Sequence, residues 1–115
     1  MTILVKRVYD DPAPGDGFRV LVDRLWPRGL SKERAELGLW DKDVAPSAEL
    51  RTDFHHDGMA WEDFERAYRA ELAANPAVGL LRETLSAHDV STLLYATHDE
   101  EHNHAILLRE ALGTH

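Results

Sequence analysis

With 115 residues, no cysteine and a formal net charge of −8, the chain has the size of one domain. Without cysteine it has no disulfide bond, thiol nucleophile or cysteine-based zinc site, and its acidity disfavours binding to nucleic acid. No apolar run is long enough for a signal peptide or a transmembrane helix, so we expect a cytoplasmic protein without a membrane partner.

The first part of the chain predicts two strands. Residues 3–9 are rich in β-branched side chains, and residues 18–25 carry apolar side chains on both faces, which is typical of a strand covered on both sides. Residues 10–17, between them, are dense in turn-forming residues and predict a loop. A Pro-Arg-Gly turn ends the second strand, and Ser31 can then cap a helix over 32–37.

The middle of the chain is predicted to be mainly helical. Residues 38–44 are extended or form a short strand, and Pro46-Ser47 begins a helix that continues to about residue 55. The clearest helix spans 61–74, where large apolar side chains recur at helical spacing: Trp61, Phe64, Tyr68 and Leu72. Pro76 starts the next helix, because proline is tolerated in a first turn.

The last part predicts a strand over 90–96 and a helix over 100–112, capped through Thr97 or Asp99. Strands separated by helices indicate a single α/β domain over 1–115, with a small, mainly parallel sheet of three to four strands and helices on its faces. In such sheets ligands bind beyond the carboxyl ends of the strands. We therefore expect three segments to meet at one edge: Tyr9-Asp10, Asp23 to Gly29 and Thr97 to His104.

The run Asp23-Arg24-Leu25-Trp26-Pro27-Arg28-Gly29 carries the most suggestive chemistry. It sets two guanidinium groups four residues apart at a strand end, and each offers a planar fork of donors that fits carboxylate or phosphate. A nearby helix start adds unpaired N–H groups. The run predicts a pocket for a small anion, with the alternative that Arg24 pairs with Asp23 or a helix carboxylate in a structural ion-pair network.

A second cluster of polar residues spans His98 to His104. His98 and His102 have the i, i+4 spacing of metal-binding helices, but a helix that starts at residue 100 leaves His98 outside it and no third ligand is apparent, so no metal site is predicted. Imidazole titrates near neutral pH, which makes His98 or His104 a candidate for proton transfer. The alternative is a polar helix start in which Asp99 caps the helix.

Two further clusters have ordinary structural interpretations. His55-His56-Asp57 before Gly58 is typical of a helix end, and Lys42 between two aspartates is typical of a surface ion pair. The sequence has no Gly-rich phosphate loop, no nucleophile-elbow serine and no dinucleotide fingerprint. No cofactor is therefore predicted, and the residues leave open whether the chain is an enzyme and what its oligomeric state is.

Several blocks carry a family resemblance: K-R-V-Y-D (6–10), R-V-L-V-D-R-L-W-P-R-G (19–29), W-D-K-D-V-A-P-S-A-E-L-R (40–51), F-x-x-x-Y-x-x-E-L (64–72), and L-L-Y-A (93–96) with N-H-A-x-x-L (103–108). Together they resemble the YeaO-like family of bacterial proteins, domain of unknown function number 488. The resemblance covers essentially the whole chain. It implies a compact α/β domain and no established activity.

The family signature falls on polar and turn residues of this chain: Arg7, Tyr9, Asp23, Arg24, Trp26, Pro27, Arg28, Gly29, Lys42, Pro46, Ser47, Asn103 and His104. The resemblance and the strand-end argument together predict these ligand-binding residues: Arg7, Tyr9, Arg24, Trp26, Arg28, Gly29, Lys42, Asn103 and His104. Asp23 and His98 are the predicted proton-transfer residues. Relatives often have Lys in place of His98, so the resemblance supports a hydrogen-bonding role there rather than a permanent charge.

Three hypotheses follow for the function. The first is a small-anion-binding domain or enzyme that uses the Arg-rich turn. The second is a non-catalytic protein-interaction module, in which Trp26, Trp40 and the basic half of the chain form the contact surface. The third is a structural role, in which Asp23 and Arg24 lock the sheet to its helices.

Overall fold

The computed structural model of the protein describes residues 1–113, so the last two residues of the predicted 1–115 domain lie outside the described residues. Over 1–113 four strands and five α-helices follow one another, joined by turns that include 3-10 turns at Pro14–Asp16 and Lys42–Val44. In chain order the elements are β1 (Thr2–Arg7), β2 (Phe18–Leu21), α1 (Lys32–Ala35), β3 (Leu39–Trp40), α2 (Ala48–His55), α3 (Trp61–Ala73), α4 (Pro76–Leu85), β4 (Val90–Tyr95) and α5 (His104–Leu112).

The strands form one sheet in the order β1-β4-β2-β3, and every pair is parallel. The central strand β4 pairs with β1 through Val5 and with β2 through Val20, both opposite Leu93. Each connection runs through loops or helices, because a parallel strand must be entered from the same end as its neighbour. The predicted small parallel sheet with helices on its faces is confirmed.

The two faces of the sheet are covered unequally. The larger core lies under α2 to α5 and includes Val20, Leu93 and Tyr95, whereas Leu21 and Leu94 point to a smaller core under α1 and the neighbouring loops. Alternate residues of a strand point to opposite faces, which places these neighbours in different cores. Burial on both faces explains why apolar residues follow one another directly in β2 (Val20-Leu21) and in β4 (Leu93-Leu94).

The second strand is shorter than predicted, since β2 ends at Leu21 and not at residue 25. Val22 still donates its N–H to the Leu94 carbonyl at 3.0 Å, and the chain then leaves the sheet. The carbonyl of the next residue, Asp23, accepts from the side chain of Trp40, its indole N–H, at 2.8 Å instead of from a strand backbone N–H. The Arg-rich run is therefore a loop beyond the sheet.

The last helix begins at His104, so the predicted start at residue 100 is wrong. The Asp99 carboxylate accepts from the backbone N–H groups of His102 and Glu101, both at 2.9 Å, and these hydrogen bonds lower the pKa of Asp99. They hold residues 99–102 in a turn. Asn103 is the true cap, since its Oδ1 accepts from the Ile106 N–H at 3.2 Å.

Other predicted helix starts are confirmed. Ser31 caps α1 by accepting from the Arg34 N–H, and Ser47 caps α2 by accepting from the Leu50 N–H, each at 3.1 Å. The first helix is shorter than predicted, because the chain turns into the left-handed region at Glu36 (φ 46°). Across the described residues the helices are all too short or too polar to cross a membrane.

Candidate anion-binding site

A cavity of about 450 Å³ opens at the carboxyl edge of the sheet. The three segments that follow β1, β2 and β4 all contribute to it, because parallel strands end at the same edge. Helix α2 closes the opposite side, together with one residue of α3. The lining residues are Tyr9, Asp23, Arg24, Leu25, Trp26, Pro27, Arg28, Ala45, Pro46, Arg51, Phe54, His55, Phe64, Ala96, Thr97, His102, Asn103 and His104.

Three arginines line this cavity without a carboxylate partner. The described part of the chain contains no ion pair to Arg24, Arg28 or Arg51. Arg24 donates from Nε to the Pro46 carbonyl at 3.2 Å, which fixes its direction and leaves its charge uncompensated. The Nε of Arg51 is shielded from solvent and has no hydrogen-bond partner within residues 1–113. The cavity wall therefore carries more positive than negative charge, three arginines against the single carboxylate of Asp23.

The structural ion pair considered for Arg24 and Asp23 is not formed. Asp23 accepts from the Ala96 N–H through Oδ2 at 3.1 Å, and its Oδ1 lies 3.1 Å from His104 Nε2. That nitrogen is also 3.0 Å from the Val22 carbonyl, which has the better hydrogen-bond geometry, so the Oδ1 contact is electrostatic. Asp23 and Arg24 point to different partners because the chain has already left the sheet at this point.

The position of His104 fixes the chemistry of its ring. Nε2 faces two acceptors, the Val22 carbonyl and the Asp23 carboxylate, so this nitrogen carries a hydrogen. In the neutral ring Nδ1 is then the acceptor. The side chain is only 15% exposed. Its ring and the Tyr68 ring are arranged in a T shape, with 6.1 Å between the ring centres. His104 is a fixed imidazole in the wall of the cavity.

His55 and Arg51 enter the site from α2, and neither was among the predicted site residues. Burial lowers the pKa of His55, and the positive charges of Arg51, His104 and His56 lower it further, with partial compensation from Asp23. His55 had been interpreted as part of a helix end. The i, i+4 spacing of Arg51 and His55, beside the inward-facing Phe54, was the available signal that they share a helix face.

Tyr9 and Asn103 line the cavity, and their polar groups already form hydrogen bonds within the protein. The Tyr9 hydroxyl donates to the Arg28 carbonyl at 2.8 Å and holds the Arg-rich loop against β1. Asn103 caps α5 and donates from Nδ2 to the Asp99 carbonyl at 3.1 Å. Both residues shape the wall of the cavity.

Three of the predicted ligand-binding residues serve the fold in this structure: Trp26, Gly29 and Lys42. Trp26 lines the cavity but donates its indole N–H to the Leu30 carbonyl at 2.7 Å. Its ring packs edge-on with the Trp40 ring, with 5.3 Å between the ring centres. Gly29 adopts a left-handed turn (φ 76°) that favours glycine, and it is outside the cavity wall. Lys42 lies over the Trp40 ring, with Nζ 4.1 Å from its centre, and is also outside the wall.

Arg7 and His98 lie together, away from the cavity wall. Arg7 donates from Nε to the Thr97 carbonyl at 3.0 Å, and its Nη2 lies 3.3 Å from Nδ1 of the exposed His98. His102 instead lies against Asp99, 3.2 Å from Nδ1 to Oδ2, and against the Trp61 ring. His98 and His102 therefore share no helix face, so the spacing that resembled a metal-binding helix has no counterpart in the structure.

The comparisons with known proteins establish the family. Residues 2–115 match the family model described as the inactive DUF488-N3 subclade, and the chain is 42% identical to "Uncharacterized protein YeaO" of Escherichia coli (strain K12) over 112 residues, 97% of each chain. The chain belongs to the YeaO-like DUF488 family. This family resemblance was predicted from the sequence blocks and is confirmed.

Other relatives of this DUF488 protein are mycobacterial. The chain is 43% identical over 111 residues to "Uncharacterized protein Rv3073c" of Mycobacterium tuberculosis (strain ATCC 25618 / H37Rv), which covers 96% of this chain and 93% of the relative. The same values hold for "Uncharacterized protein Mb3100c" of Mycobacterium bovis. No solved structure matches the chain at a significant level.

Proposed function

We propose that the protein binds a small anion with a carboxylate or phosphate group in the cavity at the carboxyl edge of the sheet. The observation that carries this proposal is that Arg24 and Arg51 border one cavity without a carboxylate partner in the described residues. Guanidinium groups are the preferred partners of both anions, because two parallel N–H groups match two oxygens.

The surroundings of Arg51 strengthen this proposal. A buried donor without a partner destabilises a protein by about 1–3 kcal/mol, and Arg51 Nε is such a donor within residues 1–113. An oxyanion that draws the guanidinium toward the cavity would supply the missing acceptor. It would also offset the repulsion between Arg51 and His55 that contributes to the low pKa of His55.

Binding is favoured over catalysis by two observations. The matched family model carries the word inactive in its description. Asp23 is also held by protein contacts, since Oδ2 accepts from the Ala96 N–H, while Oδ1, which has no hydrogen-bond partner within residues 1–113, lies 3.1 Å from His104 Nε2. We therefore assign Asp23 to the positioning of His104 rather than to proton transfer with a ligand. The other predicted proton-transfer residue, His98, is exposed outside the cavity wall.

The proposal is tested by titration with inorganic phosphate and with sulfate at constant ionic strength, followed by NMR of backbone amides and arginine Nε–H groups. We expect saturable shifts at Arg24, Arg51 and His55. Arg24→Gln and Arg51→Gln should each weaken binding about tenfold or more, since a hydrogen bond to a charged group contributes about 1.5–3 kcal/mol.

Arg66→Gln is the matched control. Arg66 is highly exposed and pairs with Asp63 on the outer face of α3, so its replacement removes the same charge without touching the cavity. The affinity of this variant should stay close to that of the native protein. No saturable response to either anion, or an equal loss of affinity in Arg66→Gln, would refute the proposed function.

A further inference from the structure

The cavity is far larger than a bare oxyanion needs. Its volume of about 450 Å³ lies within the range of about 300–1,000 Å³ that is typical of sites for whole organic ligands. Much of its wall is apolar, with Leu25, Trp26, Phe54 and Phe64 as the largest side chains. A phosphate or acetate ion would occupy the charged part and leave this apolar wall against water.

The apolar wall next to Arg51 is aromatic. Phe54 and Phe64 stack with their ring centres 4.5 Å apart and their planes inclined by 28°, and both rings line the cavity. Phe64 is only 3% exposed, whereas Phe54 is partly buried, so Phe54 is the ring of this pair with surface to offer a ligand. Stacked or edge-on contacts between rings add about 0.5–1.5 kcal/mol to the burial of their area.

Helix α2 sets the distance between the charge and the rings. Arg51 and Phe54 are three residues apart on this helix, so they share one face at a separation of roughly 5–6 Å between Cβ atoms. Both residues line the cavity. A ligand that contacts both therefore carries its anionic group on the ring itself or within a few bonds of it.

We propose that the ligand is an aryl anion, a flat ring that bears one carboxylate or phosphate group, with the group against Arg24 and Arg51 and the ring against Phe54 and Leu25. This inference rests on the proposed anion-binding function. Leu25 lines the same cavity and is 57% exposed. An aryl ligand would therefore cover apolar surface of Leu25 that water now contacts.

The test compares matched probes by isothermal titration calorimetry at one pH and ionic strength. Benzoate and phenyl phosphate carry both groups, acetate and inorganic phosphate carry only the anion, cyclohexanecarboxylate carries a ring that is not flat, and benzyl alcohol carries only the ring. We expect benzoate to bind at least about tenfold more tightly than acetate, because the ring buries apolar area. The same ratio is expected between the two phosphates, and benzyl alcohol should bind far more weakly than benzoate.

The outcomes separate the two proposals. If acetate and inorganic phosphate bind as tightly as their aryl counterparts, the aryl inference is refuted while anion binding stands. If cyclohexanecarboxylate equals benzoate, the requirement for a flat ring is refuted. If no anion binds, or if benzyl alcohol equals benzoate, the proposed function and the inference are both refuted.

A pair of exposed leucines supplies a matched test by mutation. Leu25→Asn should weaken benzoate binding roughly threefold to tenfold through lost apolar contact and leave acetate binding unchanged. Leu80→Asn is the control, because Leu80 is 65% exposed on α4 and is outside the cavity wall. Both exposed residues can be replaced without opening the core, and equal benzoate affinity in the two variants would overturn the inference.

Discussion

Two clusters of basic residues in this protein differ in whether they have a carboxylate partner. On the smaller-core side of the sheet, Arg19 and Lys6 share the carboxylate of Asp16, with Arg19 Nη1 at 2.6 Å and Lys6 Nζ at 3.1 Å from Oδ2. At the carboxyl edge, Arg24 and Arg51 have no carboxylate partner in the described residues. In the first cluster both cations meet one shared carboxylate, whereas the arginines of the second meet none and face a cavity.

The Asp16 cluster is built to hold the fold. Arg19 also donates to the Ala35 carbonyl at 3.0 Å, and the Asp16 carbonyl accepts from the Thr92 hydroxyl at 2.7 Å. These contacts connect β2, α1, β4 and the turn at Pro14–Asp16. One nitrogen, Arg19 Nη2, has no partner within residues 1–113, but the charge of this residue is paired. The two clusters therefore differ in whether a carboxylate of the fold meets the guanidinium group.

The largest expected effect is the destabilisation caused by Asp16→Asn. This variant removes the carboxylate charge that two basic side chains share, one of them buried, and should lower the free energy of unfolding by about 3–5 kcal/mol. Urea denaturation measures the change. Asp11→Asn is the control, because the ion pair of Asp11 with Arg34 is exposed and contributes at most about 1 kcal/mol. Equal stability of the two variants would contradict the contrast between the clusters.

Acid should remove the same stabilisation in the native protein. Burial alone would raise the pKa of Asp16, but hydrogen bonds from the Ala13 N–H, Lys6 and Arg19 outweigh it and hold the pKa below the ordinary value of 3.8. A depressed carboxyl pKa stabilises the fold above the unfolded value, and the contribution is lost as the pH falls through the folded value. The stability difference between the native protein and Asp16→Asn should therefore shrink below about pH 4. A difference that is constant down to pH 2 would contradict this assignment.

Arg51→Gln should behave in the opposite way to Asp16→Asn. Because Arg51 has no carboxylate partner in the described part of the chain and its Nε is a buried donor without an acceptor there, its replacement should lower the free energy of unfolding by no more than about 1 kcal/mol. Anion affinity should nevertheless fall by about tenfold or more. The two quantities are measured by urea denaturation and by titration with sulfate. A loss of several kcal/mol in stability would place Arg51 with the structural cluster instead.

The smallest expected effect concerns the pKa of His55. Burial and the charge of Arg51 hold this pKa below the ordinary value of 6.5, so the neutral ring predominates at neutral pH. Sulfate in the cavity should raise the pKa of His55, and by linkage sulfate should bind more tightly as the pH falls through that pKa. NMR titration of the His55 ring with and without sulfate measures the shift.

The Arg51→Gln variant also provides the control for His55. Its His55 pKa without sulfate should be higher than in the native protein, because one repelling charge is gone, and sulfate should move it less. An unchanged His55 pKa in this variant would show that Arg51 and His55 do not interact. The difference in the His55 pKa between native protein and variant thus measures the interaction of Arg51 with His55 independently of stability.

Local patterns in the sequence were enough for much of the fold. The two-sided apolar pattern of residues 18–25 predicted a covered parallel strand, which ends earlier, at Leu21, and the spacing of Trp61, Phe64 and Tyr68 predicted α3 to within one residue. These features depend on near neighbours in the chain. The start of α5 was missed because several polar residues compete to cap it, and only the contacts of Asp99 with the following turn select Asn103.

The candidate site was only partly predictable for a related reason. Strand ends pointed to Tyr9, Arg24 and Arg28, since parallel strands must end at one edge. They did not point to Arg51 and His55, which lie on α2 and reach the cavity through the way this helix packs across the open end of the sheet. Nor did the chain order show that Arg7 and His98 turn toward each other outside the wall.

The sequence by itself determined the class of fold, the family and the edge of the sheet at which charged residues gather, because periodicity, turn chemistry and motif identity are local properties. Only the tertiary structure decided which arginines find a carboxylate and which do not. That outcome depends on side chains that are distant in the chain and meet through packing, as Asp16 meets Lys6 and as no carboxylate of residues 1–113 meets Arg24 or Arg51.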